Sequence, residues 1–192
     1  MLPVRLLPRD RQGWVRLAQR WLLIVALSAG AMLFVTQMGS VRYAERAQAR
    51  GERVTAMLSL ETIGHYTDAP GSQRYPWPLG LFYPDTGDFI GFVGNLGSRA
   101  LVRRAVAAFR RHAAFPSEAV AAPGWLAGIG WSDHWSFWQA GYPAIMVTDT
   151  ALFRYGDYHS AGDTPERLDY DRTARVVAGL AQVVEDLTVP SR

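Results

Sequence analysis

Apolar and polar positions along the chain repeat with two different periods. Between 98 and 112, Leu101, Val102, Ala105, Val106 and Phe109 fall at helical spacing, with Arg103, Arg104, Arg110 and Arg111 on the other faces. That pattern predicts an amphipathic helix. A polar, Arg/Glu-rich stretch at 41–53 predicts an exposed helix, 133–140 a short helix, and 171–187 a closing helix. Compact apolar runs of strand length stand at 54–60, 88–94 and 144–148. Pro and Gly punctuate 64–87, and a Pro/Ala/Gly-rich stretch covers 115–130, so both read as loops. Strands separated by helices predict an α/β layered fold with a mostly parallel sheet flanked by helices.

The first part of the chain has a different character. Residues 21–35 form a nearly unbroken apolar run, preceded by Arg5, Arg9, Arg11, Arg16 and Arg20 with Asp10 alone opposing them. A spanning helix needs ~20 apolar residues. The run is short for that, but its flanks suit a signal segment or a membrane anchor, and Ala29-Gly30-Ala31 resembles a cleavage site. A buried element of the main domain is the alternative. The expected organisation is therefore an N-terminal segment, 1–36, and a domain from 37 to 192. A genuine leader or anchor would make the chain membrane-attached or exported; without one it would be cytoplasmic.

Charge narrows the partners. The net charge of +3 comes from the N-terminal segment, and no later run of Arg interleaves with aromatics. No nucleic-acid-binding face is expected. Cys is absent, which excludes disulfides, thiolate metal sites and a Cys nucleophile.

In layered α/β folds, functional groups gather beyond the carboxyl ends of strands. Glu61, Asn95 and Asp149 follow the three predicted strands. Glu61, between apolar residues and Gly64, is a candidate hard ligand for a divalent cation, or else a surface or capping Glu. His159 lies in a polar loop, where a neutral ring nitrogen can ligate metal, and Tyr158 beside it can donate to an oxyanion. Ser132-Asp133-His134 is no catalytic triad, because triad members converge from separate loops. Ser132 or Asp133 is expected to cap the following helix, and Asp163-Thr164-Pro165-Glu166 reads as a helix start. His65, Asp133 and His134 are expected to line a substrate pocket, with some of the neighbouring aromatics.

Taken in order, several motifs resemble the zinc-dependent aminopeptidase-like exopeptidases, metallopeptidase family 28. They are Gln37-Met38-Gly39-Ser40, Met57 to Gly64, Trp131 to Phe137, Gly141-Tyr142-Pro143-Ala144, and Tyr158-His159 with Asp163-Thr164-Pro165. The resemblance implies an aminopeptidase-like (phosphorylase/hydrolase-like) fold, N-terminally incomplete, that removes N-terminal residues from peptides with one or two zinc ions. It implies that Glu61 and His159 are zinc ligands on different ions and that Tyr158 stabilises the tetrahedral intermediate. The family's upstream His-x-Asp and Glu-Glu are not found here, so impaired or absent turnover is expected. The alternatives are a membrane-anchored, non-catalytic peptide-binding domain and a fragment without independent function.

Overall fold

A computed structural model describes residues 38–189. The apolar run at 21–35 lies outside the described residues, so the anchor or leader expectation falls outside them too. Among the described residues no helix is long and apolar enough to cross a membrane.

The elements in chain order are α1 (Gly39–Ala49), β1 (Met57–Glu61), β2 (Ile90–Asn95), α2 (Arg99–His112), β3 (Ser117–Ala122), α3 (His134–Gln139), β4 (Ala144–Thr148) and α4 (Tyr170–Thr188). Two helix ends have clear local causes. After α1, Gly51 takes a φ of +66° and Glu52 N–H returns to the Ala47 carbonyl at 2.9 Å, a glycine C-terminal cap. α4 begins at Asp169, whose carboxylate accepts from Arg172 N–H at 2.9 Å. The expected start at 163–166 yields only a 3-10 turn, Pro165–Arg167, with no side-chain cap. Residues 115–130 are not all loop, because β3 forms inside them.

The sheet runs in the order β1-β4-β2-β3. β1 pairs parallel with β4 and β2 parallel with β3, while β2 and β4 run antiparallel. The sheet is thus mostly parallel, as expected, with one reversal in its middle. That reversal corrects the placement of Asn95. It ends β2 at the opposite end of the sheet from Glu61, and its Oδ1 accepts from Ser98 N–H at 2.8 Å. Asn95 shapes the entry to α2 and takes no part in the site.

Strand alternation sorts the side chains onto two faces. Ile90, Phe92, Ile145 and Val147 point toward α2 and α4, where they pack on Leu101, Val102, Phe109, Val176, Leu180 and Val183. This is the main core. Val93, Met146, Val120 and Ile129 occupy the other face, and the candidate site is built there.

Candidate active site

Glu61 is the last residue of β1, and Ser59 shares its face two residues earlier. Ser132, in the loop before α3, reaches across to both. Its Oγ donates to Glu61 Oε2 at 2.9 Å and lies 2.8 Å from Ser59 Oγ. A hydroxyl has one proton, so Ser59 is the donor in that second bond. Tyr158 donates its hydroxyl to the other oxygen, Glu61 Oε1, at 3.2 Å. Both oxygens of the carboxylate are held, one from each side. Burial, then the charge of Glu61, pushes the Tyr158 phenol above its ordinary value, so it stays a neutral donor at physiological pH.

The two loops that bring Glu61 and Tyr158 together are cross-braced by buried charges. Asp149, directly after β4, is 2% exposed. It accepts from Gly64 N–H (3.0 Å), His65 N–H (2.8 Å) and Ala151 N–H (3.0 Å). Arg154 is 6% exposed; its Nη1 donates to the His65 carbonyl at 3.1 Å and its Nε to Gln73 Oε1 at 2.8 Å. Its guanidinium lies over the Phe89 ring at 4.6 Å. Thr62, Thr150, Ala151 and His159 all have positive φ. Such backbone is costly for residues with a Cβ and persists only where its surroundings fix it.

Glu61 and Tyr158 line an apolar cavity of about 110 Å³. Val93, Val120, Met146 and Ile129 form part of its wall from the sheet side, with Phe153 and Trp131 from the loops. Gln73 and Arg74 close it from the loop after β1.

The expected site residues separate into two groups. Glu61 and Tyr158 meet in one cluster, and the His159 ring stacks on Tyr158 at 4.0 Å. The other three do not line the cavity. His65 is stacked on Tyr155 at 4.5 Å and held by its main chain. Asp133 is exposed at the start of α3. His134 is fully buried; its Nε2 bonds the Ile129 carbonyl at 2.7 Å, its ring meets the edge of Trp138, and burial lowers its pKa. The helix-cap expectation for Ser132 or Asp133 also gives way, since Asp133 makes no side-chain cap and the Ser132 hydroxyl is turned to Glu61 and Ser59 instead of to a helix N–H. Sequence reading missed Ser59, although its i,i+2 spacing from Glu61 was an available signal; Gln73 and Arg154, inside loops, gave no pattern.

A zinc centre takes three or more protein ligands. Among the described residues no group of three His, Asp or Glu lies close enough to hold a metal ion. The described donor set does not fit a zinc centre.

The chain belongs to peptidase family M28, whose sequence model matches residues 35–184; members are generally zinc-dependent. The chain is 43% identical over 145 residues to an uncharacterized protein, YfbL, of Escherichia coli (strain K12), a stretch covering 75% of this chain and 44% of that protein. The fold is similar to the LapA aminopeptidase of Legionella pneumophila, with a TM-score of 0.59 and 16% identity over 80% of this chain and 37% of LapA. It is similar also to LapB of the same organism, with a TM-score of 0.57 and 18% identity over 79% of this chain and 36% of LapB. The chain thus spans less than half the length of each.

Proposed function

We propose that this chain forms the substrate-binding part of an aminopeptidase-type peptidase site. A peptide's free α-amine sits at Glu61, its first side chain enters the apolar cavity, and Tyr158 faces the first carbonyl. The observation that carries this reading is the bond between Tyr158 and Glu61, 3.2 Å long, on the wall of an otherwise apolar cavity. A carboxylate held by two hydroxyls remains an anion with lone pairs to spare, and an ammonium is its natural partner. The cavity beside it offers the apolar contact that fixes a side chain.

Hydrolysis is a separate matter. Peptide cleavage in the zinc manner needs a metal-activated water, and the described residues supply no such ligand set. The reading therefore favours binding, with turnover weak or absent in this chain.

Trp131 lines the cavity, so its fluorescence reports occupancy. A dipeptide with a free amine should shift the emission and its N-acetylated form should not. Glu61→Gln should weaken the free-amine ligand about tenfold or more, the loss of one charge-assisted bond. Equal binding of the acetylated form would overturn the reading. A parallel assay with added zinc tests the second half; robust turnover lost in Glu61→Ala would show that the chain completes a metal site.

A further inference from the structure

The sheet register places a second carboxylate opposite Glu61. Glu61 pairs with Thr148, Thr148 with Gly91, and Gly91 with Glu118. These four residues form one row across the sheet, and all four line the cavity. At ~4.8 Å between strands, the row sets the Glu61 and Glu118 Cα atoms about 14 Å apart. The middle of the row is open because Gly91 has no side chain. Two carboxylates thus stand at opposite ends of an apolar trough.

Glu118 has capacity to spare. It is half-buried at the start of β3, and among the described residues its carboxylate makes no hydrogen bond or ion pair. Two phenols lie near it but spend their protons elsewhere. Tyr83 donates to the Ala119 carbonyl at 2.8 Å and Tyr75 to the Pro84 carbonyl at 2.6 Å. Burial, and then the charge of Glu118, raises the Tyr83 pKa. Arg74 also lines the cavity, and its guanidinium forms no ion pair among the described residues.

We propose that Glu118 determines specificity: it receives the side-chain cation of a peptide whose first residue is Lys or Arg, while Glu61 holds the α-amine. The spacing fits. The two nitrogens of an extended lysine lie about 7 Å apart on ordinary covalent dimensions. A charge-assisted hydrogen bond of about 2.8 Å at each end brings the span to about 13 Å between carboxylate oxygens. The methylene stem then lies on Val93, Val120 and Met146, as long basic side chains do when they bury the stem and keep the charge paired. A leucine would fill the near end of the trough and leave Glu118 untouched.

This inference rests on the amine-binding reading above, and the experiment separates the two. Binding of Lys-Gly, norleucyl-Gly and Leu-Gly to the full chain is followed by Trp fluorescence or calorimetry. Norleucine has the stem of lysine without the cation. Lys-Gly should bind about tenfold more tightly than norleucyl-Gly, and Glu118→Gln should abolish that difference while leaving norleucyl-Gly unchanged. Equal affinity of Lys-Gly and norleucyl-Gly would overturn the role of Glu118 and leave the amine-binding reading standing. Failure of all three dipeptides to bind would overturn both.

Discussion

Asp149 and Arg154 grip opposite sides of the same residue. The His65 N–H donates to Asp149 Oδ2 at 2.8 Å, and the His65 carbonyl accepts from Arg154 Nη1 at 3.1 Å. The opposite charges are joined through the main chain, and both are almost fully buried. Asp149 also takes Gly64 N–H and Ala151 N–H. Its removal would strand these donors and take away a negative charge that favours the buried Arg154 cation. Asp149→Ala should lower the unfolding free energy by about 3–5 kcal/mol, because it strands three backbone N–H donors at about 1–3 kcal/mol each, and Asp149→Asn by less. Denaturant unfolding measures both. A loss under about 1 kcal/mol for Asp149→Ala would mean the brace is not structural.

Helices α2 and α4 touch at Gly179. A Cβ built there would lie 2.6 Å from Phe109 Cε2 and 2.8 Å from Ala113 Cβ. Two effects oppose each other in Gly179→Ala. Helix propensity favours Ala by up to about 1 kcal/mol. Overpacking in a close-packed core costs about 1–3 kcal/mol. Phe109 is fully buried and cannot swing to solvent, so the cost should win. A lower melting temperature is expected; an unchanged or higher one would show that the helices can separate freely.

These contacts explain how much of the molecule was legible in advance. The strong helix was readable because its buried residues, Leu101 through Phe109, carry the 3.6-residue period themselves. β4 was readable as an apolar run, Ala-Ile-Met-Val, closed by Thr148. β3 was missed because Ser-Glu-Ala-Val-Ala-Ala has little β propensity and lies among Pro and Gly; pairing with β2 makes it a strand. With β3 went Glu118, since a residue cannot be placed opposite Glu61 without a register. Asn95 was misplaced for a related reason, as local pattern does not reveal whether neighbouring strands run parallel. Glu61 and Tyr158 were legible as a motif, whereas Ser132 looked like a helix cap and binds across the sheet instead.

His134 gives the fold an acid sensitivity with a definite sign. The ring is 0% exposed, Nε2 donates to the Ile129 carbonyl, and Nδ1 has no partner. Burial lowers its pKa from 6.5. The unfolded chain therefore binds the proton more readily. The stabilisation from a neutral His134 is complete above pH 6.5 and is lost as the pH falls below 6.5 toward the lowered native value. His134→Phe, which cannot titrate, should flatten this part of the stability-pH curve at some cost in stability from the lost bond. An identical slope in wild type and variant, read by urea unfolding across that range, would assign the acid sensitivity to other groups.

Gly91 separates stability from binding in one substitution. It sits between Glu61 and Glu118 in the row across the cavity floor. A Cβ there would lie 3.3 Å from the Thr148 carbonyl oxygen and 3.8 Å from Thr148 Cγ2, tight but short of a clash. Valine suits a strand better than glycine does, by up to about 1 kcal/mol, and that gain offsets much of the crowding. Its methyls would project into a cavity of only about 110 Å³. Gly91→Val should therefore melt within a few degrees of the wild type, on the usual scale of about 4–8 °C per kcal/mol for small domains, while losing dipeptide binding almost completely. Gly91→Ala should lose part of it. If Gly91→Val folds and binds the dipeptides as the wild type does, the ligand does not lie along this row, and the trough between Glu61 and Glu118 is not the binding site.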